Sequence, residues 1–270
     1  MNAFVQHFTY EFKTGLRNPS LLLINYLFPL GFYAMMGLIM TAINPLFTAS
    51  MVPALVIFAI VASTVLGMPS PLVEAREAGV FRSYKINSVP ATSILAIPGL
   101  TTAFHALISA AIIALTAPIL FDGDTPVHVG AFVGVTLLTA FTCASLGLLI
   151  SVISESSRAT ILWSQLIFLP SMLIGGLMVP MDVLPDRVRS FSALLPASHA
   201  MELFSGWAYG RETTFNLPAS AAILVSSGVL AFLLSIYLFN WDTRNQSRRG
   251  HPVLALLVVV PYAIGALLLL

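Results

Sequence analysis

Charge is what this sequence has least of. Asp, Glu, Lys and Arg make up 9% of its 270 residues, against about a quarter in a water-soluble domain. That shortfall excludes a surface wetted on all sides. With 58% hydrophobic residues and a mean hydropathy of +0.94, the chain reads as an integral membrane protein. Lysine is scarcer still: Lys13 follows Phe12 and Lys85 follows Tyr84. A phosphate-binding loop of the GxxxxGK[ST] kind needs glycine directly before its lysine, so this chain cannot hydrolyse ATP by that route. Cysteine occurs once, as Cys143, which removes both an internal disulfide and a cysteine metal site. HExxH is absent, and no carboxylate falls inside an apolar run that could serve an aspartyl protease or a proton relay. A net charge of +1 offers no basic face for nucleic acid.

What is present is a series of long apolar runs, at residues 21–43, 51–69, 94–120, 129–152, 160–180 and 219–240. A helix crossing the roughly 30 Å hydrocarbon layer needs about 20 such residues. None of the six runs contains Asp, Glu, Lys or Arg, and none alternates as a barrel strand would. His105 is the one imidazole inside them, and a lone histidine in an apolar helix is more often a hydrogen-bonded packing residue than a proton carrier. A last run, 252–270, is 19 residues long, just enough to cross at about 1.5 Å per residue. The spacing predicts an all-α membrane protein: an interfacial helix over 1–20, a six-span domain over 21–240, and an extra C-terminal helix over 252–270 that crosses as a seventh span.

In residues 1–20, Phe4, Phe8, Phe12 and Leu16 recur every four positions and line one face, while Gln6, Lys13 and Arg17 project from the other. Such a helix lies in the headgroup layer with its apolar side down. Orientation follows from the basic residues. With the N-terminus inside, the inner segments hold Lys13, Arg17, Arg76, Arg82, Lys85, Arg158, Arg244, Arg248 and Arg249, and the outer ones only Arg187, Arg189 and Arg211. The expected location is the plasma (inner) membrane, with the N-terminus cytoplasmic.

Three stretches depart from plain spans. Residues 71–90 gather Glu74, Arg76, Glu77, Arg82 and Lys85 between the second and third runs, fenced by Pro71 and Pro90. Acids early and bases late suit the dipole of a single helix, yet a solvated connector fits the same residues equally well. Pro170, Gly175, Gly176 and Pro180 interrupt the fifth run, and 181–212 then shows helical spacing broken at Pro196, read as two short helices dipping into the outer leaflet. Cys143, Gly147 and Ser151 form a small-residue stripe, which more often serves packing within one subunit than a contact between subunits.

The order of these elements resembles the ABC-2 family, the membrane subunits of ATP-driven exporters. The resemblance rests on Glu11 with Arg17-Asn18-Pro19, then Glu74-Ala-Arg-Glu77-Ala-Gly79, then Gly175-Gly-Leu-Met-Val-Pro180-Met-Asp-Val-Leu-Pro185 followed by Leu195-Pro196, across about residues 1–240. Val80 stands where the family often has Thr, and the run beyond 250 lies outside the usual six-span plan. The resemblance implies a non-catalytic permease subunit with no cofactor of its own, ATP and Mg being held by a separate ATPase subunit. Two permease subunits, alike or different, would pair in the bilayer. Glu74, Arg76, Glu77, Gly79, Arg82 and Lys85 would form the ATPase-coupling helix, braced by Glu11, Lys13 and Arg17. Gly175, Gly176, Pro180, Pro185 and Pro196 would belong to an outer gate. A pathway lined by apolar, Ser and Thr residues suggests a hydrophobic cargo such as a drug, antibiotic or lipid. The rival reading is a stand-alone secondary carrier or channel, which the charge-free spans disfavour.

Overall fold

The computed structural model describes residues 3–44, 47–179, 181, 184–241 and 250–269, and every regular element among them is helical. The N-terminal helix α1 spans Ala3–Arg17. It ends where Asn18 takes extended backbone and its side-chain oxygen accepts from the N–H groups of Ser20 (2.9 Å) and Leu21 (3.4 Å). Pro19 then begins the first span, at a position where a missing N–H costs nothing. The Arg17-Asn18-Pro19 triplet is therefore a helix stop followed by a helix start.

Six described helices are long and apolar enough to cross a membrane: α2 (Pro19–Ile43), α3 (Phe47–Glu77), α5 (Ala91–Leu120), α6 (Val129–Ile153), α7 (Ser157–Ile174) and α10 (Leu217–Leu238). The central one is α3. Residues 51–65 are all buried, and α2, α5, α6, α7 and α9 (Pro196–Leu203) pack around them. The outer helices keep large apolar side chains exposed, among them Leu38, Leu115, Ile119 and Leu162, as lipid contact requires.

At its middle α3 widens into a π turn, Ala62–Gly67, and there α6 comes closest. A Cβ on Gly147 would lie 2.1 Å from the Thr64 carbonyl oxygen and 2.7 Å from Met68 Cε. Cys143 and Ser151 on the same stripe are buried too, so the small residues serve packing inside the subunit. The π turn also precedes Pro69 and Pro71. Proline removes a hydrogen bond and crowds the carbonyl four residues back, and a widened turn relieves that crowding. The helix consequently continues through both prolines to Glu77.

Two boundaries differ from the sequence expectation. Residues 71–90 are not one helix fenced by prolines: Pro71 lies inside α3, and a second helix, α4 (Val80–Ile86), starts after Gly79 in the left-handed region at φ 77°. Glu74 and Glu77 therefore occupy the C-terminal end of their helix, where a dipole disfavours acids, and they stay in water, where that cost is small. The fifth span, expected over 160–180, ends at Ile174 with Gly175 as its C-cap, and Pro170 is accommodated within it.

The C-terminal segment, a 3-10 helix at Pro252–Val259 followed by α11 (Val260–Leu269), runs antiparallel to α10. The register can be followed from end to end. A Cβ on Gly250 would meet Tyr237 and Leu238, Val258 packs with Ala231 and Leu234, the Tyr262 hydroxyl is 2.7 Å from Ser227 Oγ, and Gly265 lies against Ile223. At about 2.0 Å per residue in the 3-10 part and about 1.5 Å in the α part, the segment matches the thickness of the hydrocarbon layer.

Candidate functional site: the charged corner and the far-face helices

The corner between α3 and α4 is built from a buried back and an exposed front. On the back, Leu72, Val73 and Arg76 follow helical spacing and are all buried. The Arg76 guanidinium donates to the carbonyls of Val152 (Nη1, 3.1 Å) and Ser154 (Nη2). Those carbonyls close the end of α6, where the helix leaves its last C=O groups without partners. A cation there satisfies both the orphan carbonyls and the dipole. From α4, Phe81 is buried against Phe239 at 5.7 Å between ring centroids, and Trp241 meets Phe239 edge-on at 5.2 Å.

On the front, Glu74, Glu77, Arg82 and Lys85 are exposed. Gly79 makes the turn between them: its N–H donates to the Arg76 carbonyl at 3.1 Å, and its own carbonyl accepts from Arg82 at 3.1 Å. The six residues singled out from sequence thus share one corner but not one role. Four form the exposed face, Gly79 bends the chain, and Arg76 pins the corner to the fourth span.

Helix α1 lies beside this corner. Its Phe12 ring stacks on the His105 imidazole at 4.4 Å and meets Phe104 edge-on at 5.6 Å, and His105 Nδ1 is 2.6 Å from the Tyr26 hydroxyl. Gly15 makes this possible, because a Cβ there would come 2.5 Å from His105 Nε2. His105 therefore acts as a packing residue that seats α1 on α5. Lys13 and Arg17 are exposed, while Glu11 is half-buried, 3.6 Å from His7. The His7 ring packs on Tyr84 of α4 at 5.9 Å, so of the three brace residues only Glu11 faces the corner.

Burial raises the Glu11 carboxyl above its ordinary value of 4.5, and the neighbouring His7 draws it part of the way back. A carboxyl raised on docking favours the protonated form, so docking of α1 is firmest below pH 4.5 and weakens as pH rises through the shifted value. Glu11→Gln removes that penalty. In detergent micelles at pH 7.5 the variant is expected to melt at or above the wild-type temperature, with the difference vanishing near pH 4. A lower melting temperature at pH 7.5 would show that the His7 contact outweighs desolvation.

At the opposite end, the far face, Gly176 adopts φ 85° between Met181 and Met201. Pro185 is the N-cap of α8 (Asp186–Ser192), Pro196 is the first residue of α9, and Pro180 lies outside the described residues. A π turn, Phe204–Ala208, extends α9. This region is tied internally. Buried His199 donates from Nε2 to the Ala193 carbonyl at 2.8 Å, which leaves Nδ1 to accept from Ser220 Oγ at 3.0 Å. The Glu202 carboxylate accepts from the N–H groups of Thr214 (2.8 Å) and Phe215 (3.2 Å).

Arg211, only an outer charge by sequence, joins the start of α3 to two loops. It donates to the Ala49 carbonyl at 2.8 Å, pairs with Asp124, and lies 4.7 Å over the Tyr209 ring. No local pattern announces a pair 87 positions apart. The His7–Glu11 contact, by contrast, sits at i, i+4 spacing and could have been read.

Comparison with known proteins agrees with this architecture. The chain is similar to YvfS of Bacillus subtilis (strain 168), named as a transport permease, at 24% identity over 246 residues, 88% of this chain and 97% of that protein. It is also similar to Nodulation protein J of Rhizobium leguminosarum bv. viciae, at 27% identity over 106 residues, and of Sinorhizobium fredii (strain NBRC 101917 / NGR234), at 28% over 111 residues. Both alignments span 39% of this chain and 40% of the relative. A family model described as ABC-2 type transporter matches residues 2–209. With a buried second span at the centre of its six membrane-length apolar helices and a match covering most of its length, this multi-pass membrane protein belongs to the ABC-2 type transporter family.

Proposed function

We propose that the chain is the membrane subunit of an ATP-driven exporter, and that the charged corner is where a separate ATP-hydrolysing subunit docks. The observation that carries this reading is the corner's construction. Glu74, Glu77, Arg82 and Lys85 face water at the end of the most buried of the six described membrane-length helices, and Arg76 and Phe81 fix that end to neighbouring spans. Force applied to such a face enters the core directly. Membership of a family that works with ATPases supports the partner, which would supply ATP and Mg. The corner face is then cytoplasmic, as the excess of basic residues on that side suggests, in a plasma membrane. The C-terminal segment crosses the bilayer beside α10. A second permease subunit completes the pathway, and the apolar walls suit a hydrophobic cargo.

The test reverses the acids. Glu74→Lys with Glu77→Lys is expected to reduce co-purification of the ATPase subunit from the native host by roughly tenfold or more, and to abolish cargo-stimulated ATP hydrolysis. Both residues are exposed, so the permease itself should elute and melt as before. Unchanged co-purification together with unchanged hydrolysis would sink the assignment and favour a stand-alone carrier.

A further inference from the structure

Between α1, the start of α2 and the corner lies a cavity of about 290 Å³ that the exporter reading does not use. Its polar lining includes Glu11 and His7 from α1, Tyr84 from α4, Asn25 from α2 and His105 from α5, with threonines of α1 and α5 beside them, and Leu21 and Leu72 contribute to the apolar wall. Asn25 is 3% exposed, and its side-chain oxygen has no hydrogen-bond partner among the described residues. It is held there by local structure. A π turn at Leu23–Leu27 leaves its backbone carbonyl free to accept from Ser109 Oγ at 2.7 Å, which fixes the residue on the α5 side. A buried acceptor without a donor costs about 1–3 kcal/mol, and Glu11 adds a half-buried carboxylate to the same wall.

We propose that this cavity binds the primary ammonium group of an amphiphile lying at the membrane–water boundary. The carboxylate and the Asn25 oxygen are both acceptors, so they call for a cation that brings its own N–H donors. A phosphate or carboxylate would be repelled. A quaternary ammonium could face the Tyr84 ring but has no N–H for Asn25. A metal ion is disfavoured, because no group of three His, Cys, Asp or Glu is placed to hold one among the described residues. The volume, at the low end for ligand sites, suits a headgroup rather than a whole lipid, with Leu21 and Leu72 against the first methylenes. Desolvation of the Glu11 carboxyl points the same way, since a bound cation would restore what burial removes.

The ammonium could come from phosphatidylethanolamine or from a free amphiphilic amine, and two arms separate these. In the first, purified protein is incubated with equimolar phosphatidylethanolamine, phosphatidylcholine and phosphatidylglycerol of matched chains, and retained lipid is counted by native mass spectrometry. Wild type is expected to retain phosphatidylethanolamine over the other two by roughly tenfold or more, a preference that Glu11→Gln loses. In the second, delipidated protein is melted with dodecylamine or dodecyltrimethylammonium. Dodecylamine alone should raise the wild-type melting temperature and leave Glu11→Gln unmoved. A preference in the first arm identifies the lipid headgroup as the occupant, and a shift in the second arm only identifies a free amine. No preference in either arm, or a preference that Glu11→Gln keeps, overturns the site. Neither arm needs an ATPase, so the result is independent of the exporter reading.

Discussion

Gly147→Val is expected to leave little folded protein, and Gly147→Ala to lower stability by about 3 kcal/mol or more, at or beyond the upper end of ordinary overpacking. The reason is what the added carbon meets. At 2.1 Å from the Thr64 carbonyl oxygen it strikes backbone, not a side chain that could swing away. Relief requires α6 to move off α3 along the most buried part of the core. That movement would also disturb Cys143 and Ser151 on the same stripe, and Arg76 at its end. The same helix supplies the control, since Cβ atoms on Gly130 and Gly134 would meet nothing within 4 Å. Alanine at either position should be neutral or gain up to about 1 kcal/mol from helix propensity. Heat challenge followed by size-exclusion chromatography separates these outcomes. If Gly147→Ala survives as well as Gly134→Ala, the close approach of the two spans is not real.

The second large effect is expected at Arg76. Replacing it by Met keeps the length of the side chain and removes the donors, leaving the Val152 and Ser154 carbonyls without them. Unsatisfied buried acceptors of this kind cost about 1–3 kcal/mol each, so with two of them the end of α6 should open at least roughly 30-fold more readily. Hydrogen exchange over residues 148–156 reads this directly. Function should suffer differently from the Glu74/Glu77 reversal. The exposed face is intact in Arg76→Met, so if the proposed ATPase subunit docks there it should still co-purify, while cargo stimulation of its hydrolysis falls because the corner can yield without moving the fourth span. Equal loss of co-purification in both variants would mean that Arg76 acts on the docking face itself.

The spans were legible because lipid imposes one requirement on every residue of a crossing helix. Hydropathy therefore located six of them to within a few residues, apart from two ends. The missing end of α3 shows the limit: its last two turns bury Leu72, Val73 and Arg76 but expose Glu74 and Glu77, so the helix continues there without an apolar signature. The overextended fifth run shows the converse, since residues after Ile174 stay apolar while packing on the far-face helices. Arg76 could have been separated from Arg82 by spacing, because Leu72, Val73 and Arg76 share one helical face. What no single stretch carries is pairing across the chain, and both Arg211 with Asp124 and Arg76 with the end of α6 are of that kind.

The length of α3 has a mechanical consequence. Its 31 residues make a rod of about 46 Å, longer than the hydrocarbon layer is thick. One end is the charged corner. At the other, Ala49 and Thr48 accept from Arg211 and from the Asp124 N–H, so the far-face loops are hitched to the rod. Near its midpoint, Thr64 bears on Gly147 with no room to slide. A rod held at its middle is a lever on a fulcrum. A tilt of about 5° would swing each end by roughly 2 Å in opposite directions, pulling the Arg211 loops across one face as the corner is pushed across the other.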